Sequence, residues 1–267
     1  MAPPDVKLGR LSKIVCANAR WLGEDDFPGC QVWADDLETL CRFLEAHGEL
    51  DRFLRRLRSQ NRQGRNATLG EIRAAFVLNR AGFTITAWEP EAVHGRPGDL
   101  EIELAGSRRI FVETKAPTWQ GQVFEDDTRG DRQHKLERVR QDKWVPFEAR
   151  AVGPVTTPLE IIRANAIPKL ASDRPNLVAV SDDMFLSPVG IPGLAEQVNR
   201  EADKGGLELV GGIVFVEPDP VGDEILYRMQ FVEIQAAIQA VRIPAEAVWR
   251  LREEEIRSMK DRQQTYY

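Results

Sequence analysis

Cysteine is scarce, with three in 267 residues (Cys16, Cys30 and Cys41) and no C-x-x-C pair. An odd, sparse count gives no disulfide framework and fits a reducing compartment, so a cytoplasmic location is expected. Cys30, Cys41 and His47 match no common zinc spacing, and buried free thiols are the simpler reading. Histidine is equally sparse: His47, His94 and His134 each sit in polar segments and read as surface residues. No apolar run approaches the ~18 residues needed to cross a bilayer. The opening MAPPDVKLGRLSK lacks the apolar stretch of a secretion signal, so neither membrane insertion nor secretion is expected. A general excess of positive charge is also missing. The net charge is -6, which removes the whole-surface signature of a nucleic-acid binder but leaves room for a local basic patch. There is no internal repeat and no low-complexity tract.

What remains is the balance of a soluble globular protein, 42% hydrophobic and 29% charged, long enough for one main domain with an extension. Apolar residues recur at helical spacing over 36–59 in two sets, Leu37, Leu40, Cys41, Leu44 and then Leu50, Phe53, Leu54, Leu57, with Gly48 as the break. Asn61 to Asn66 reads as a polar turn. Thr68 to Ala81 reads as a helix, ended by Gly82. Three strands follow: Phe83 to Trp88, Asp99 to Leu104 and Arg109 to Lys115. Residues 117–155 form a charged insertion with a helix expected over 131–144. Thr157-Pro158 opens a further helix, which Pro168 must disturb. Asn176 to Ser181 is a short apolar run, as expected of a strand buried on both faces. A helix over 192–204, strands at Leu209 to Glu217 and Ile225 to Glu233, and a charged helix from Ala245 to Arg262 complete the chain. The order predicts an α/β fold with one mixed sheet flanked by helices. An N-terminal helical extension would occupy 1–66 and the main domain 67–267, with its core at 68–181.

The chemistry concentrates on the third strand. Glu113 and Lys115 are two apart and share a face, whereas Thr114 turns the other way with Val112 and Ile110. Asp99 opens the preceding strand, directly after Pro97-Gly98. If the two strands form a hairpin, the start of one lies beside the end of the other, so Asp99 meets Glu113 and Lys115. Two carboxylates beside a lysine suit a hard divalent cation and a phosphate ester.

These residues resemble the PD-(D/E)XK nuclease superfamily, the restriction-endonuclease-like fold. Pro97-Gly98-Asp99, thirteen residues, then Glu113-Thr114-Lys115 follow its motif, with one glycine between the proline and the aspartate. The predicted order over 68–181 is similar to its αβββαβ core, a little under half the chain. The resemblance implies a Mg²⁺- or Mn²⁺-dependent nuclease acting on DNA more than on RNA. Asp99 and Glu113 would ligate the metal, Lys115 would position the water, and Glu71 would support the metal from the preceding helix. Asn165 and Lys169 would supply a polar group from the helix that follows. The insertion of about forty residues and Pro168 depart from the pattern.

Plainer readings exist for each residue. Glu113 and Lys115 could be a surface pair, and Asp99 a turn cap. Glu101 and Glu103 share the face of Asp99 and read as its solvent-facing continuation. Thr68-x-x-Glu71 is also a capping-box string. Trp119 reads as packing for the insertion. Between 51 and 80 there are eight arginines against Asp51 and Glu71, either a solvated helix face or a phosphate-tracking patch; Arg62, Arg65 and Arg73, with Lys169, would be the nucleic-acid contacts. Two rivals to the nuclease stand: a catalytically silent protein of the same fold, binding nucleic acid or protein, and an unrelated α/β interaction protein.

Overall fold

The computed structural model describes residues 7–16, 31–58, 62–91, 97–104, 108–116, 156–181, 193–221 and 224–243. The insertion at 117–155, the helix expected over 245–262, Cys30, His94, Trp119, His134 and the side chain of Arg62 lie outside them.

Six strands form one mixed sheet in sequential order: β1 (Thr84–Trp88), β2 (Leu100–Glu103), β3 (Ile110–Lys115), β4 (Asn176–Ser181), β5 (Gly212–Val221) and β6 (Glu224–Glu233). β1, β2 and β3 pair antiparallel, β3, β4 and β5 pair parallel, and β6 returns antiparallel on β5. The two parallel pairings sit in the middle, where both faces are covered, and every residue of β4 is buried. This α/β architecture agrees with the mixed sheet expected from the sequence and is compatible with a nuclease-like fold.

The helices are α1 (Arg10–Cys16), α2 (Gln31–Ala46), α3 (Leu50–Leu57), α4 (Arg62–Arg80), α5 (Thr156–Ile161) and α6 (Leu194–Ala202). The alternation of β3 divides its side chains between two cores. Ile110 and Val112 pack with Ala74, Ala75 and Leu78 of α4, whereas Phe111 packs with Leu159 of α5 and Val198 of α6. A third core joins α1, α2 and α3 to the outer side of α4 through Leu69 and Ile72.

α4 begins earlier than its sequence suggests. The expected turn is helical from Arg62, so a division at 66/67 falls inside this helix. Thr68 is therefore interior, not a cap: its Oγ1 donates to the Gly64 carbonyl one turn back, at 2.7 Å. The capping-box reading of Glu71 is overturned with it. The neighbouring Gly70 lets the helix lie close on the sheet, since a Cβ there would stand 2.8 Å from Ala116 Cβ and 3.2 Å from Ser181 Cβ. Glu71 is thereby held near the ends of β3 and β4.

Pro168 does end the regular helix. α5 passes into a π-helical turn, Ile162–Ala166, and then a 3₁₀ turn, Ile167–Lys169, with Pro168 near its start. Widening and then tightening the coil accommodates a residue that has no N–H to give.

Gly98 has a different role. A Cβ there would overlap the ring of the buried Phe111 on the paired strand. Gly98→Ala is expected to lower unfolding stability by about 1–3 kcal/mol through overpacking, measured by chemical denaturation; an unchanged midpoint would contradict this packing.

Candidate functional site

Asp99, Glu113 and Lys115 do come together. The register Leu100–Val112 and Glu101–Phe111 continues the hairpin to Asp99 beside Glu113. The Asp99 N–H donates to the Val112 carbonyl at 3.2 Å, and its Oδ2 accepts the Thr114 N–H at 2.6 Å. Both Asp99 and Glu113 are thus fixed by the backbone of one β-pair.

Glu113 is fully buried, and its Oε1 accepts from two ammonium groups: Lys115 on the same strand face, and Lys169 at 2.7 Å. Its Oε2 is buried without a hydrogen-bond partner. Lys169 arrives there from the 3₁₀ turn that Pro168 initiates. Asn165, its companion in the sequence reading, is exposed on the π-helical turn.

Glu71 joins from α4 and is gripped at both oxygens by a residue the sequence reading passed over. Arg56 of α3 donates from Nη1 to Oε2 at 2.7 Å and from Nη2 to Oε1. The signal was present only as one arginine among eight, and nothing along the chain marks which of them turns inward.

Three carboxylates (Glu71, Asp99, Glu113) therefore face three cations (Arg56, Lys115, Lys169). The balance is uneven within the group. Burial, then the charges of Glu71 and Glu113, push Asp99 from an ordinary 3.8 up to about 7, against the Thr114 N–H and Lys169. Burial also raises Glu71, with Glu113 adding to it, although Arg56 opposes the shift. Burial works against the Lys169 ammonium, but its bond to Glu113 and the other two carboxylates hold its pKa above the ordinary value.

All donors are oxygens, the set a hard cation takes. The buried, unpartnered Glu113 Oε2 and the charge strain on Asp99 fit such an ion. Among the described residues, however, no group of three His, Cys, Asp or Glu side chains is gathered ready to hold a metal. Both oxygens of Glu71 and Oε1 of Glu113 are engaged by guanidinium and ammonium groups, which leaves Glu113 Oε2 as the open donor.

Two arginines of the expected patch, Arg65 and Arg73, are buried, whereas Arg55, Arg58 and Arg80 are exposed. Arg65 is 7% exposed and Arg73 4% exposed. Arg65 lies on the α4 stripe of Leu69 and Ile72, which the N-terminal helices cover. Arg73 stands over the Trp33 ring, 5.5 Å from its centroid, and 3.9 Å from Asp36 Oδ2, while Tyr227 donates to Asp36 Oδ1 at 2.6 Å. Trp33, Asp36, Arg73 and Tyr227 join α2, α4 and β6, so Arg73 is packed inside and does not lie on an open face. Glu101 is corrected too. It is 3% exposed, not solvent-facing, and takes Arg109 at 3.2 Å, Thr86 Oγ1 at 3.1 Å, and Arg174. His47 is an exposed residue bonded to the Phe43 carbonyl, as expected. Cys41 is a buried free thiol, raised to about 12 by burial, and no described cysteine is in a metal cluster.

The chain matches none of the protein-family models and none of the curated proteins it was compared with. Among solved structures it is similar to SfsA of Pyrococcus furiosus in complex with Ca²⁺, at 16% identity and a TM-score of 0.27. The alignment covers 63% of this chain and 62% of that one, so the chain spans less than two thirds of that protein. A likeness at this level assigns no function. No described helix is long and apolar enough to cross a membrane.

A raised carboxyl pKa fixes a sign. The folded protein holds the Asp99 proton more tightly than the unfolded chain, so the contribution of Asp99 to stability falls as pH climbs from about 4 to about 7 and then levels. Asp99→Asn keeps an acceptor for Thr114 and removes the charge. In metal-free buffer its stability gain over wild type is expected to grow by on the order of 2–4 kcal/mol between about pH 4.5 and about pH 8. A gain equal at both pH values would show that Asp99 is not strained.

Proposed function

We propose that this protein is a divalent-metal-dependent nuclease of the PD-(D/E)XK type, hydrolysing phosphodiesters in DNA in preference to RNA. The observation that carries this reading is the buried meeting of Asp99, Glu113 and Lys115 on one hairpin with Glu71 from the preceding helix. Surface decoration does not bury a carboxylate completely and then leave one of its oxygens without a partner.

Asp99 and Glu113 would hold Mg²⁺ or Mn²⁺, with Glu71 as a third oxygen donor. When bound, the ion supplies Lewis-acid polarisation of a phosphoryl oxygen and neutralises charge on the diester. Lys115, tied to Glu113 and largely covered, orients the attacking water from a fixed position and sets a positive charge beside the phosphorus. Lys169 is more exposed and adds a second ammonium on the same side. Asp99 is fixed through the Thr114 N–H, so its carboxylate does not need to reorganise during the reaction.

The catalytically silent reading keeps one observation in its favour: Glu71 and Glu113 are already partnered by cations of the chain itself. A single panel separates the two. Wild-type protein with Mg²⁺ or Mn²⁺ should cut plasmid or single-stranded DNA. Lys115→Ala should lose at least about 100-fold in rate while its melting temperature still rises with Mn²⁺. In Asp99→Asn both cleavage and the Mn²⁺ shift should disappear. A Mn²⁺ shift with no cleavage of any DNA or RNA would favour the silent form, and no Mn²⁺ shift at all would defeat the site assignment.

A further inference from the structure

Arg56 is foreign to the motif that gathers Asp99, Glu113 and Lys115. It belongs to α3, and it forks across both oxygens of Glu71. A bidentate guanidinium takes the inner lone pair of each carboxylate oxygen, the pair a chelated metal ion would use, and its charge opposes a second cation beside it. As long as the fork holds, Arg56 competes for Glu71 with any ion shared with Asp99 and Glu113.

The surroundings offer the guanidinium a second anion. Glu89 follows β1, with Oε1 4.0 Å from Arg56 Nη1 and Oε2 3.9 Å from Arg52 Nη1. Its side chain is 46% exposed, against 14% for Glu71, so it marks the rim and Glu71 the interior. Its backbone is held at a φ of +50°, unusual for a residue with a Cβ, and its N–H donates to the Asp99 carbonyl at 3.1 Å. The rim anion is thus tethered through the backbone to the residue at the centre of the site. Arg56 is 36% exposed, which leaves it room to travel.

Building on the metal-site reading above, we infer that Arg56 is a displaceable counterion for Glu71: it closes the third carboxylate until a divalent cation takes it, and then passes to Glu89. The N-terminal helices would in this way set the metal affinity of the core they pack on. The design also explains how three acidic groups coexist without metal. Glu113 has its two lysines, and Glu71 borrows an arginine that can leave.

The test is Mn²⁺ binding by isothermal titration calorimetry on the full chain, with no activity readout required. Arg56→Gln should tighten Mn²⁺ binding by about tenfold, because a charge-assisted pair no longer competes for Glu71. Arg56→Lys, which keeps the charge and loses the fork, should fall between the two and serves if the Gln variant does not fold. In a Glu71→Gln background the gain from Arg56→Gln should vanish. Glu89→Gln should weaken Mn²⁺ binding in wild type and not in Arg56→Gln. A tenfold gain both in the wild-type background and in the Glu71→Gln background would mean that Arg56 acts only through the general field, and would overturn the exchange. So would unchanged affinity in Arg56→Gln while wild type binds Mn²⁺. Absence of binding in wild type and every variant would instead defeat the metal-site reading beneath it. Binding by Arg56→Gln alone would be the strongest support.

Discussion

The constraint around which the site is arranged is the burial of Glu113. A carboxylate removed from water on a central strand costs several kcal/mol unless positive charge meets it. Lys115 comes with it by strand parity, two residues on. Lys169 has to be brought from another element, and the route is specific. A regular helix through 162–169 would need an N–H at position 168, and proline has none. The π-helical turn followed by a 3₁₀ turn satisfies the proline and delivers the lysine to within 2.7 Å of Glu113 Oε1. Pro168 breaks the regular helix, yet it belongs to the turn that completes the pair of lysines.

The same burial governs the far side of the sheet. Glu71 comes near Asp99 and Glu113 because α4 lies almost on the ends of β3 and β4, with Gly70 at the point of closest approach. Glycine inside a helix costs about 1 kcal/mol relative to alanine, so its presence there needs a packing reason, and the proximity of Ala116 and Ser181 is one. Bringing a third carboxylate close raises Asp99 further, and that extra repulsion calls for Arg56. The N-terminal helices are therefore connected to the site twice: through Arg56 at its edge, and through the buried Asp36, Arg73 and Tyr227 that join α2, α4 and β6.

How legible this was depends on which interactions are local. The alternation of β3 put Glu113 and Lys115 on one face, and a short hairpin carried Asp99 to them; both follow from period two and the chain's own turns. The six strands and their succession along the chain were readable from the sequence pattern, but the parallel pairings of β3, β4 and β5 were not. The helix start at Arg62 was not, because its first turn, Arg62 to Asn66, is polar with a glycine and carries no apolar period, and Thr68 mimics a cap that it does not form. Charge counting failed at Arg65 and Arg73 because the stripe of α4 that carries them is covered by helices contributed from earlier in the chain. Glu101 failed in the opposite sense. Parity placed it correctly on the face of Asp99, but Arg174, more than seventy residues away, decided that the face is closed at that level.

These failures share a cause that bears on function. The D…ExK string supplies two anions and one cation, and every further charge that sets their state comes from a segment remote in sequence: Glu71 from α4, Arg56 from α3, Lys169 from the turn after α5. A protein with the same string and different partners would place Asp99 in a different field, and its carboxyl would not be pushed to about 7. The motif marks where the carboxylates meet. Whether they hold a proton, an arginine or a metal ion follows from the packing of the helices around them, and in this chain the packing adds one cation from each of two separate elements to the lysine of the motif.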